Sequence, residues 1–82
     1  MPTVLRFDGL RVVIYPNDHR PSHVHVIGAD AEAVFNLNCR TRPVELRENY
    51  GFSRRRIAHI QAVVNEHRHY LCRRWEEIHG LA

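Results

Sequence analysis

The stretch TVLRFDGLRVVIY, residues 3 to 15, restricts the fold more than any other part of the chain. Asp8-Gly9 is a favoured two-residue type I′ turn, a geometry that needs φ > 0 at both central residues. A turn there sets Phe7 opposite Leu10, Arg6 opposite Arg11, Leu5 opposite Val12 and Val4 opposite Val13. Side chains alternate between the two faces of a strand, so Leu5, Phe7, Leu10, Val12 and Ile14 form an apolar face. Val4, Arg6, Arg11, Val13 and Tyr15 form the other. Turn and pattern select the same register.

Residues 16 to 22, PNDHRPS, hold two prolines and an Asn-Asp pair and read as a loop with His19 at its centre. The following HVHVIGADAEAVFNL, residues 23 to 37, reads as a second hairpin turning near Ala29-Asp30. That register pairs Ile27 with Glu32, Val26 with Ala33, His25 with Val34, Val24 with Phe35 and His23 with Asn36. Val24, Val26, Ala33, Phe35 and Leu37 then face the core. His23, His25, Ile27, Glu32, Val34 and Asn36 face away from it.

Residues 38 to 52 read as an irregular link, in which Pro43 to Leu46 fit a short strand or a single helical turn, the strand being preferred. From Ser53 the chain reads as one long helix to about residue 79, capped by Ser53 and ended by Gly80. Ile57, Ile60, Val64, Leu71, Trp75 and Ile78 recur at helical spacing, with His67 inside the stripe as a hydrogen-bonded core residue. The expected architecture is one domain over residues 1–82, an α+β two-layer fold. It has a four-stranded antiparallel sheet of two hairpins, with one long C-terminal helix packed on one face.

Composition narrows the function classes. A chain of 82 residues with 44% hydrophobic and 26% charged residues is that of a small globular protein. No run approaches the length of a membrane span, and Arg6 and Asp8 interrupt the first apolar stretch where a secretory signal would be continuous. These features lead us to expect a cytoplasmic protein with no membrane partner. Cys39 and Cys72 match no metal or redox motif and are expected to be free thiols in that compartment. The twelve basic residues are all arginine, against nine acids, for a formal charge of +3. Arginine forks hold phosphate and carboxylate in two-pronged fashion, which suits RNA or an acidic partner protein. GC-rich coding would give the same bias without any functional cause.

MPTVLRFDGLRVVIYPNDHRPSHVHV, followed by EAVFNL, PVEL and GFSRRRIAHI…VNEHRHYLCRRWEEIHG, resembles the short bacterial proteins described as domain of unknown function 4160. The most specific part is MPTVLR followed by the Tyr-x-Asn-acid-His-x-Pro-x-His-Val-His-Val segment from Tyr15 to Val26. The resemblance implies a toxin-like half of a two-gene, toxin–antitoxin-type module. It implies no substrate and no catalytic residue. The chain departs from the pattern with extra residues at Asn38 to Arg42 and with Ser22 in place of a proline.

Three readings of the clustered histidines stay open. In the first, His23 and His25, with His19 at the rim, act as acid and base on RNA while Arg6 and Arg11 stabilise the charged phosphorane and Tyr15 lines the site. The candidate catalytic set is therefore His19, His23, His25, Arg6, Arg11 and Tyr15. In the second, the same mixed face is a protein contact surface for a homodimer or partner adaptor, with no enzymatic role. In the third, His19, His23 and His25 bind a metal with Asp18 or Glu32 as a fourth ligand. The reading carried forward assigns no cofactor and no metal. It expects the imidazoles of His23 and His25 to point away from the helix. Arg54, Arg55 and Arg56 oppose the helix macrodipole at its start, which marks them as a candidate nucleic-acid or anion site.

Overall fold

A computed structural model describes residues 3–40 and 43–80. Five strands precede two helices: β1 (Thr3–Phe7), β2 (Leu10–Val13), β3 (His23–Ile27), β4 (Glu32–Asn36), β5 (Glu45–Tyr50), α1 (Arg54–Glu66) and α2 (Arg68–His79). The strands form one antiparallel sheet in sequence order, β1-β2-β3-β4-β5. The α+β class and antiparallel sheet agree with the sequence reading. The counts of four strands and one helix do not.

The first hairpin turns at Asp8-Gly9, both at positive φ (50° and 75°), as the type I′ reading requires. Leu5 pairs with Val12, Arg6 with Arg11 and Phe7 with Leu10. The register then shifts, so Thr3 rather than Val4 lies opposite Val13. This irregularity turns Val4 inward, where it joins the core at 6% exposure instead of sitting on the outer face. All five expected pairs of the second hairpin are present, from His23 with Asn36 to Ile27 with Glu32. A backbone hydrogen bond from Gly28 N–H to the Ala31 carbonyl closes its turn at 2.8 Å.

The fifth strand lies wholly within the expected irregular link and overlaps its expected short strand at Glu45 and Leu46; Thr41 and Arg42 of that link lie outside the described residues. Glu45–Tyr50 pairs with β4, yet all six residues are exposed. A sheet edge of this kind is held by its backbone ladder rather than by burial, so its sequence carries no apolar alternation to read. Asn49 then folds the chain back: its amide donates to the Phe52 carbonyl at 2.9 Å and accepts from Phe52 N–H at 3.1 Å.

Ser53 caps α1, its hydroxyl accepting from Arg56 N–H at 3.1 Å. The expected single helix is interrupted at His67, where φ is −101° and ψ is 16°. The His67 Nδ1–H donates to the Val63 carbonyl at 2.9 Å, four residues back. A side chain that occupies a carbonyl of the preceding turn competes with the helix ladder and bends it. His67 is thus hydrogen-bonded, as expected, but half-buried rather than part of the core, and that bond accompanies the break.

Val12, Val24, Val26, Phe35, Leu37, Ile60, Val64, Leu71 and Trp75 are fully buried in one cluster between the sheet and the helices. The cysteines are not free. Cys39, in the loop after β4, is disulfide-bonded to Cys72 on α2 with a Cα–Cα separation of 5.9 Å, within the normal range. Spacing alone does not reveal this link, because the two residues meet only after the helix has crossed the sheet.

Candidate functional site

The register lays out the sheet face opposite the core in rows. Arg6, Arg11, Ile27, Glu32 and Tyr50 form one row across the five strands, and Thr3, Val13, His25, Val34 and Glu48 the next. His23, Asn36 and Glu45 form a third. Arg6 and Arg11 therefore stand directly opposite each other, one row from His25. Val13 and Val34, on either side of His25, are buried (0% and 4% exposed) without belonging to the main core cluster.

At the end of the strands nearest the 15–22 loop, four polar side chains meet. Asp18 closes its own turn, accepting from Tyr15 N–H through Oδ2 at 3.0 Å while its N–H donates to the Tyr15 carbonyl at 3.0 Å. This local bonding is the usual behaviour of aspartate in turns, and here it leaves Oδ1 aimed at the strand ends. Asp18 Oδ1 lies 3.3 Å from His25 Nε2 and 3.5 Å from His23 Nε2. The other ring nitrogens are also occupied. His23 Nδ1 donates to the Pro21 carbonyl at 2.8 Å, and His25 Nδ1 donates to Glu32 Oε2 at 3.1 Å.

Aromatic rings enclose the group. Tyr15 meets His25 edge-on at 4.8 Å between centroids, and the two imidazoles lie 5.2 Å apart. His23 lies 5.3 Å from Trp75 on α2, and Trp75 lies 4.1 Å from His79. His79 Nε2 donates to the Tyr15 carbonyl at 3.0 Å, tying the end of α2 to the loop. The side chains of His23, Asp18 and His25 are 7%, 13% and 16% exposed, so the cluster opens to solvent only along the Asp18–His25 rim.

The expected catalytic residues are thus divided. His23, His25 and Tyr15 gather in one place. Arg6 and Arg11 share the outer face one row away, and His19 is exposed on the loop next to Asp18. His25 keeps the outward place expected of it. His23 differs: its ring is buried against Trp75 rather than presented on an open face. Sequence reasoning ranks Asp18 and Glu32 only as optional ligands, and it passes over Trp75 and His79. The signal for Asp18 is its position three residues after Tyr15, where an aspartate closes a turn on the preceding backbone N–H.

At the opposite end of the sheet, Arg54, Arg55 and Arg56 are exposed on the first turn of α1, which carries no acidic residue. Arg56 holds its guanidinium 6.0 Å from the Phe52 ring centre and reaches the Asp8 carbonyl at 3.4 Å. It borders a cavity of about 390 Å³ lined by Gly9, Gly28, Asp30, Gly51 and Ser53 among others. On β5, the carboxylate of Glu48 beside Tyr50 raises the phenol's pKa above its ordinary 10.0 and accepts its hydroxyl at 3.2 Å.

These features describe a small α+β protein with one helical layer, an uncovered mixed sheet face and a histidine–carboxylate cluster at the sheet end. Residues 9–76 match the family described as Domain of unknown function (DUF4160), and the chain belongs to that family. No curated protein and no solved structure shows significant similarity to it. None of the described helices is long and apolar enough to cross a membrane.

Proposed function

We propose that this chain is the toxin-like component of a small two-protein bacterial module, binding RNA through arginines that an acidic partner protein covers in the inactive complex. The observation that carries this reading is how the charges are distributed. Of the five close basic–acidic side-chain contacts among the described residues, four are histidine–carboxylate contacts and one, Arg74–Glu77, uses an arginine. Arg6, Arg11, Arg47, Arg54, Arg55 and Arg73 form no ion pair with a described carboxylate. Arg6 and Arg11 are a directly opposed like-charge pair, an arrangement that costs stability unless an anion lies across it. Two guanidinium forks side by side fit a phosphate backbone or a run of carboxylates. The toxin-like part of the proposal rests on the family resemblance.

Cleavage is the enzymatic extension of this reading, with His23 and His25 beside Tyr15 as acid and base. A cytoplasmic location belongs to the same proposal. The Cys39–Cys72 link counts against that location, because structural disulfides persist mainly in oxidising compartments. Labelled single-stranded RNA incubated with purified protein, with and without chelator, tests binding and cleavage together. Binding that is lost at high salt supports the proposal, and cleavage that resists chelator supports acid–base chemistry. No binding at low salt refutes the RNA reading.

One observation favours a second reading, a non-enzymatic module that pairs with a second copy. The outer face is basic at β1–β2, through Arg6 and Arg11, and acidic at β4–β5, through Glu32, Glu45 and Glu48. A two-fold axis through its centre would set each half on its opposite, as an isologous interface requires. Exposed Tyr50 adds apolar area at that edge. Sedimentation of wild type against Arg6→Glu/Arg11→Glu distinguishes the readings: a wild-type dimer that the charge reversal dissociates supports this one, and a wild-type monomer refutes it.

A further inference from the structure

We propose that Asp18, His23 and His25 form a binding site for one divalent first-row transition ion of the zinc class. The inference stands without RNA or partner binding, and it is an alternative to the acid–base use of His23 and His25, because it occupies the same Nε2 atoms.

It rests first on which nitrogens are free. A carbonyl oxygen and a carboxylate can only accept, so the Nδ1 atoms of both histidines carry protons: His23 towards Pro21 O, His25 towards Glu32. In a neutral ring that places the lone pair on Nε2. Both Nε2 atoms converge on Asp18 Oδ1, so three electron-rich atoms face one another. A cation must lie among them, either protons on the imidazoles or a metal ion.

Geometry favours the metal. Zinc takes imidazole nitrogen and carboxylate oxygen at about 2.0–2.1 Å, which makes the edge of a regular ligand tetrahedron about 3.3–3.4 Å. The Asp18–His25 separation of 3.3 Å matches that edge and the Asp18–His23 separation of 3.5 Å lies just beyond it, so the ligand atoms would draw together on binding. One ligand atom from each of the three residues lies within 4.8 Å of the others. These distances are long for charge-assisted hydrogen bonds, which usually close to about 2.7–2.9 Å.

The surroundings have the form of an outer ligand shell. Glu32 holds His25 through the far ring nitrogen, and the Pro21 carbonyl does the same for His23; such contacts fix ring orientation and raise ligand basicity. Tyr15 and Trp75 pack beside the two rings, and the Tyr15 N–H holds the remaining Asp18 oxygen. Glu32 is thus an orienting residue rather than a ligand. The Asp18–His25 rim is the side of the site nearest solvent, where water would complete the coordination. Two imidazoles and one carboxylate with an open position suit zinc, iron(II), cobalt and nickel rather than magnesium or calcium.

Isothermal titration of the purified chain with Zn²⁺, and absorption spectroscopy with Co²⁺, test the proposal. One ion per chain is expected, with the intense visible bands of low-coordinate Co²⁺. Loss of an orienting partner typically weakens a metal site by about 10–100-fold. Glu32→Gln should fall in that range, and Asp18→Asn, which removes a ligand, at or beyond its upper end. The amide oxygen in Asp18→Asn can still accept from Tyr15 N–H, so the turn survives even if His23→Asn, packed on Trp75, does not fold. His59→Asn and His69→Asn, at exposed positions on the helices, should change nothing. Failure of the wild type to bind Zn²⁺ at micromolar concentrations overturns the proposal. So does undiminished binding by Asp18→Asn, which would assign the ion to surface histidines, or a pale octahedral Co²⁺ spectrum.

Discussion

Reduction of the Cys39–Cys72 link should destabilise the domain without rearranging it. The bond closes a span of 33 residues running from the β4 exit through β5 and α1 into α2. In the chain-entropy account, opening a loop of that length restores about 12 cal/mol/K to the denatured state, or about 3.7 kcal/mol at 25 °C. A domain of this size has only about 4–12 kcal/mol of stability, so the loss is a large share of the total. The native contacts around the bond should persist after reduction. Arg68 donates to the Asn38 and Cys39 carbonyls at 3.2 Å and Ser22 Oγ lies beside the Cys39 sulfur, contacts that do not depend on the bond. Urea denaturation of the wild type with and without reductant is the assay, since it changes no residue. With an m-value of about 1 kcal/mol/M, the midpoint should fall by roughly 3–4 M, or the reduced chain should be unfolded at once. Equal midpoints would refute both the link and the reasoning from loop length.

Val12→Asp should unfold the domain, because Val12 is fully buried in the main cluster and an unpaired buried charge costs several kcal/mol; native-like circular dichroism would contradict the register. Changing Arg54, Arg55 and Arg56 together to alanine should weaken RNA binding while leaving the melting temperature level or slightly higher. Each charge at that helix start opposes the macrodipole by about 0.3–1 kcal/mol. Glu48→Gln should lower the titration midpoint of Tyr50, because the neighbouring carboxylate disfavours the phenolate; an unchanged phenolate absorbance titration would show that the two groups do not interact.

The parts of the fold legible in the sequence are those in which burial alternates. Asp8-Gly9 and the apolar sets on β1 to β4 determine eight of the nine hairpin pairings expected, and Val4 escapes because a register shift leaves no mark on the hydrophobic pattern. Strand β5 is anticipated only at Glu45 and Leu46, for a physical reason: Glu45–Tyr50 buries no side chain, and a backbone ladder has no signature in side-chain type. The break at His67 is hidden in a similar way, since Ile57 to Ile78 keep their stripe across it and neither glycine nor proline marks the bend. At the site, local spacing places His23 and His25 in adjacent rows and Asp18 in the loop between the hairpins. The approach of Trp75 and His79 from α2 needs about 50 residues of intervening chain to pack correctly. That is beyond what periodicity can encode.

The central claim, that arginines left without internal partners bind an anionic surface, is tested most directly by the salt dependence of RNA affinity. Dissociation constants for one single-stranded RNA should be measured from low to physiological salt, for wild type and for Arg6→Ala/Arg11→Ala. Each phosphate contact on a single strand contributes about 0.7 to the slope of log affinity against log salt. The double variant should therefore bind more weakly at low salt, with a slope shallower by about 1.4 if each arginine neutralises one phosphate. An identical slope and affinity in the two proteins would contradict the account.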